Sequence, residues 1–189
     1  MPQLEADEIA AVAAKAKRVA AELPPLIDQD YDIVTLTASC GLMMKFEWPL
    51  ILPENEAVKR LAAARRDISQ YVVEISKAHG LASGLAAPEG GVTFHNACHS
   101  RAQNMGAMSA QMLRLIPGAK IDVVERFSGH GGTFGVMKET RPMAVKLGKP
   151  AAKQVATKAN ATLCLHCPLA CKRRGQLLTA ALPAGAPPL

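Results

Sequence analysis

Aromatic side chains are scarce in this chain: one Trp, two Tyr and four Phe make up 4% of its 189 residues. That leaves little to stack on bases, the usual device of single-strand nucleic-acid binders. It also gives the core to Ala, Leu, Val, Ile and Met, which suits helices packed on a sheet. Charge of one sign is not concentrated either. The formal net charge of +6 is spread along the chain, apart from Lys172, Arg173 and Arg174. A nucleic-acid partner calls for a denser basic stripe, so none is expected. No apolar run approaches the length of a membrane span. The opening stretch, MPQLEADEIAAVAAKAKRVA, lacks the charged start, apolar block and cleavage site of a secretory leader. A cytoplasmic, reducing setting is the expectation, with any membrane contact made through a partner. The five cysteines, an odd number, then read as thiols or metal ligands rather than disulfides.

Periodicity gives the organisation. A helix is expected over 3–22, with Leu4, Ile9, Val12, Ala13, Val19 and Ala20 on its apolar face and Pro24-Pro25 ending it. DIVTLTAS, 32–39, reads as a buried strand that delivers Cys40. The pattern is helical from Asn55 to about His79, and HGLASGLAAPEGG is a loop. GVTFHNA, 91–97, is a second strand and delivers Cys98. A helix over 102–116 precedes a strand at 120–126, which runs into the loop SGHGGTFG. A helix over roughly 139–158 and a strand over 161–167 follow, then a short helix after Pro168. Residues 1–171 read as one α/β domain and 172–189 as a basic, then Pro- and Ala-rich, disordered tail. The alternation of strand and helix argues for a mainly parallel sheet with flanking helices and cysteines at strand C-termini. Ligands gather beyond that edge in such sheets.

Thiolates converging there would suit an iron–sulfur cluster or zinc. Cys40, Cys98 and Cys167 are candidates by position. Cys164 adds a Cys-x-x-Cys pair with Cys167, yet within one strand that odd spacing sends the two side chains to opposite faces. Cys164 therefore has a second reading as a core residue, and Cys171 as a surface thiol. His99 and Arg101 pack poorly in a core, which favours a site around Cys98. His130 lies between Gly129 and Gly131, where backbone can approach a ligand closely. His166 beside Cys167 is a weaker candidate, and His95 reads as a core or edge histidine. Thiol catalysis fits poorly: neighbouring residues of an extended chain point apart, so His99 is a poor base for Cys98. The loop lacks the Gly-Lys-Ser/Thr ending of a phosphate loop and a clean G-x-G-x-x-G.

Four stretches carry a family resemblance: TASCGLMMKFEWPLILP, FHNACHSRAQNMG, LIPGAKIDVVERFSGHGGTFGVMKE and HCPLA. Over nearly all of 1–171 the chain resembles the cysteine-rich CCG-domain iron–sulfur oxidoreductase proteins. These include the cysteine-rich component of heterodisulfide reductase and the iron–sulfur components of anaerobic glycerol-3-phosphate dehydrogenase and glycolate oxidase. The rubrerythrin-associated branch is the most similar. The resemblance implies an electron-transfer protein or redox subunit holding an iron–sulfur cluster, of 4Fe-4S or non-cubane type. Its partner would be a flavin, quinone or rubrerythrin-like subunit. It implies metal ligation by Cys40, Cys98 and Cys167, with Cys164 as a replacement ligand. Arg101, Gln103 and Asn104 would shape the surroundings or bind a polar partner group, and Gly129, His130 and Gly131 would form the intervening loop. Phe127 stands where the family has a cysteine. Against the family pattern the chain reads as a shortened, partly degenerate copy. The rival readings are a metal-free interaction domain and a structural zinc domain.

Overall fold

A computed structural model of the protein describes residues 2–165. The expected first helix is divided. α1 (Pro2–Glu5) and α2 (Ile9–Glu22) are separated at Asp7, whose φ of 61° leaves the helical region. Leu23 ends α2, and Pro24-Pro25 then opens a further turn, α3 (Pro24–Ile27). Proline lacks the N–H that continues a ladder, yet it fits the first turn of a new one.

The strand expected over 32–39 shortens to β1 (Val34–Thr35), and helix begins at Ala38. A continuous helical stretch that periodicity did not predict follows: α4 (Ala38–Leu42), a π-helical turn (Met43–Glu47) and α5 (Trp48–Ile51). The helix expected over 55–79 is split into α6 (Glu56–Ala64) and α7 (Ile68–His79) by β2 (Arg66–Asp67). Side-chain caps explain both starts. Asn55 Oδ1 accepts from Val58 N at 3.0 Å, and Asp67 Oδ1 from Ser69 N at 2.9 Å.

β3 (Val92–His95) leads to α8 (Cys98–Arg101). The helix expected over 102–116 starts only at α9 (Met108–Arg114), because Asn104 and Gly106 turn the chain with positive φ. β4 (Ile121–Val124), a 3-10 turn (Gly132–Gly135), α10 (Arg141–Lys158) and β5 (Thr162–Leu165) complete the described chain. The readings for His166, Cys167, Cys171, the helix after Pro168 and the tail 172–189 fall outside the described residues.

The protein is mixed α/β, with parallel strands in two small sheets flanked by helices. One sheet pairs β1 with β2, and the other runs β4-β3-β5. Every connection between parallel partners passes through helix, as parallel pairing requires. All four residues of β3 are buried, consistent with a central strand covered on both faces. Val12, Ala16, Ala20, Met43, Trp48, Val58 and Leu61 form the core beside the first sheet. Val124, Ala152 and Val155, joined by Val145 and Leu163, pack α10 onto the second. Ile9, expected on the inner face, is exposed, and so is Ile75 of α7. Phe94 is among the largest fully buried side chains. Truncating it (Phe94→Ala) is expected to cost about 3–5 kcal/mol, measured by urea unfolding. Among the described residues no helix is long and apolar enough to cross a membrane.

Candidate functional site

Two cysteines come to one seam from different sheets. Cys40 is exposed on α4, which follows β1; Cys98 is exposed as the first residue of α8, which follows β3. α4 packs against α8. The seam is held by Gln103, which is fully buried and donates from Nε2 to the Ala38 carbonyl at 3.1 Å. Lys45 Nζ, one turn beyond Cys40, donates to the carbonyl of Gln103. Gly41 is what allows this approach. A Cβ there would stand 2.9 Å from Gln103 Oε1 and 3.0 Å from Thr35 Oγ1. Gln103 thus links the cysteine helices from below, while Arg101 and Asn104 are exposed on the turn after Cys98.

Beneath α4 lies charge that sequence reasoning did not single out. Arg65 caps α6 and retains 4% of its surface; Asp67 is fully buried two residues on. Burial pushes the Arg65 guanidinium down from its ordinary value, and the Asp67 charge pushes it back up. Burial, then the Arg65 charge, lowers Lys45. An Asp directly ahead of an apolar helical stretch was the available signal for the α7 cap. Nothing in the sequence announced that this Asp would be buried beside Arg65.

The glycine loop leaves the same edge of the second sheet as Cys98. β3 and β4 are parallel partners, and their exits are tied together. His95 Nε2 donates to the Arg126 carbonyl at 2.6 Å, Asn96 N to the Val124 carbonyl at 3.0 Å, and Asn96 Nδ2 to Glu125 Oε1 at 2.9 Å. Gly129 is buried with φ of 75°; a Cβ on it would lie 2.2 Å from the Ala144 carbonyl oxygen of α10. Gly131 and Gly132 also take positive φ, and His130 between the glycines is half-buried. Glu5 of α1 reaches this loop. Its Oε2 accepts from Thr133 N at 2.9 Å and from Thr133 Oγ1 at 3.0 Å. Phe127 covers the loop: its Cζ would be 3.1 Å from a Cβ on Gly131.

Cys164 lies within β5, level with Phe94 of β3, and is half-buried. Among the described residues no three His, Cys, Asp or Glu side chains are grouped to hold a metal. In kind the donors fit an iron–sulfur cluster, since thiolates are its ligands. In number the described residues supply the Cys40–Cys98 seam only, and Cys167 lies outside them.

The fold and this seam define a class: a parallel α/β protein in which strand, cysteine and helix recur, with exposed thiols on neighbouring helices. Two curated proteins are similar in sequence. Lactate utilization protein A of Geobacillus kaustophilus (strain HTA426) is 33% identical over 117 residues, 58% of this chain and 47% of the relative. Lactate utilization protein A of Geobacillus thermodenitrificans (strain NG80-2) is 32% identical over the same shares. The chain spans about half the length of these curated relatives. No protein-family model and no solved structure matches it.

Proposed function

We propose that this chain is an iron–sulfur electron-transfer subunit of an oxidoreductase, with Cys40, Cys98 and Cys167 as ligands and Cys164 as the replacement for the position of Phe127. The observation that carries this reading is the α4–α8 seam, where two helices that each carry an exposed cysteine pack together and a buried amide bonds across to α4. The named relatives and the resemblance to cysteine-rich redox subunits support it. A bound cluster would supply one-electron transfer. Gln103 fixes the spacing of the two cysteine helices. Lys45 adds a second tie across the seam by donating from Nζ to the Gln103 carbonyl. Arg101 and Asn104 are placed to meet a polar group of a partner subunit. Oxidising a 2-hydroxy acid such as lactate to its 2-oxo acid releases two electrons and two protons. A flavin-, quinone- or rubrerythrin-like partner would exchange those electrons singly with this chain. Phe127 favours a second reading, a metal-free interaction domain.

Anaerobic purification with iron, sulfide and zinc analysis separates the readings. Iron with matching sulfide is expected, rising in Phe127→Cys and lost in Cys98→Ser. Zinc without sulfide, together with stability lost to chelator, would instead mark a structural zinc site. No metal in either wild type or Phe127→Cys would overturn the redox reading and leave the interaction domain.

A further inference from the structure

The sequence spreads its positive charge, but the fold gathers part of it. Lys138, Arg141, Lys146, Lys149 and Lys153 are all exposed along the approach to α10 and its outer face, with Glu139 the one acid in 136–153. None of the five cations has an ion pair or side-chain hydrogen bond among the described residues. The same stretch exposes large apolar side chains. Val136, Met137, Met143 and Leu147 keep 68%, 50%, 50% and 45% of their surface open. Helical phase explains the arrangement. Ala144, Gly148, Ala151, Ala152 and Val155 take the inner stripe, so Met143 and Leu147, one turn apart, fall beside it and outward. Between the 3-10 turn and α10 lies an open groove of about 560 Å³, lined by Val136, Lys138, Arg141, Pro142 and Val145.

We infer that this groove docks an acidic segment of a partner protein, anchored by one apolar side chain between Val136, Pro142 and Val145. Charge selects the partner's sign: five cations with no ion pair among the described residues, against Glu139 in the same stretch and Glu5 on the 3-10 turn, repel a basic surface and steer an acidic one. The concavity selects protein over lipid. A bilayer needs a broad apolar face and no pocket, whereas a protein interface concentrates its binding on a few side chains seated in pockets. The surface lies outside the cysteine seam, and the inference holds for the metal-free chain.

The test uses the full chain, isotopically labelled, and a synthetic Glu-rich peptide carrying one central Leu. The peptide is expected to shift the amide signals of 136–147. Binding should weaken by about ten-fold or more between low and high salt, and again in Lys138→Glu/Arg141→Glu. Replacing the central Leu by Gly should weaken it several-fold. Equal binding by the Gly peptide would overturn the anchor, and unchanged binding by the charge-reversed variant would overturn the site. Binding to phosphatidylglycerol vesicles in place of the peptide would assign the face to lipid. No binding of either probe would overturn the inference. The reversed side chains are exposed and have no ion pair among the described residues, so unchanged thermal unfolding is the expected control.

Discussion

Gly129→Ala is expected to destabilise the protein by about 2–6 kcal/mol, one of the largest effects of any single methyl group in this chain. Two costs add. At φ of 75° an L-residue pays backbone strain of roughly 1–3 kcal/mol. The new Cβ would also stand 2.2 Å from the Ala144 carbonyl oxygen and 3.0 Å from the Cα and N of Gly148. These are backbone atoms of α10, so no side chain can swing aside, and overpacking of this kind costs about 1–3 kcal/mol. Gly106 supplies the control. Its φ is 68°, and nothing lies within 4 Å of a Cβ built there. Gly106→Ala should therefore show the strain alone. Urea unfolding of the two variants separates the terms, and equal losses would mean that the loop is not wedged against α10. The functional consequence follows from the same contact. The loop carries His130 and lies under Phe127, so displacing it from α10 should lower whatever metal content the wild-type chain and Phe127→Cys retain.

The strands that came through from sequence are those whose partners match them in length. GVTFHNA was readable because β3 is buried on both faces and has four-residue partners on each side. DIVTLTAS has the same β-branched character, yet only Val34 and Thr35 pair. Their partner β2 is confined between the end of α6 at Ala64 and the start of α7 at Ile68, and a strand pairs no further than its neighbour extends. The position of Cys98 just after β3 was legible, because a strand exit is where parallel sheets expose residues. Cys40 was expected at a strand end, whereas it lies within α4, after β1. Gln103 was named as a neighbour of the site, though its burial and its bond to Ala38 appear only in three dimensions. No sequence pattern singled out Lys45, Arg65 or Glu5. Their roles depend on contacts such as Glu5 to Thr133, between segments far apart in the chain that no local pattern encodes.

Removing Asp67 should be the most damaging change near Cys40. Asp67→Ala takes away two things at once. Its Oδ1 caps α7 through Ser69 N, and losing such a cap costs about 1 kcal/mol. Its charge also offsets Arg65, which is 4% exposed and whose Nε and Nη1 donate to nothing among the described residues. Leaving a buried charge without its opposite costs about 3–5 kcal/mol. Asp67→Asn separates the two, because the amide oxygen can still cap while the charge is gone; it should lose about 3–5 kcal/mol. Arg65→Met on the Asn background should recover much of that loss, since an apolar side chain of similar length asks for no counter-charge. Denaturant unfolding of the single and double variants completes the cycle. A loss under about 1 kcal/mol in Asp67→Asn would show that Arg65 is offset by another group. The effect should also reach the seam: β2 holds β1 in register, β1 leads to α4, and the Arg65 charge bears on Lys45. Asp67→Asn should then raise the alkylation rate of Cys40, measured against Cys98→Ser protein, as α4 loosens from Gln103.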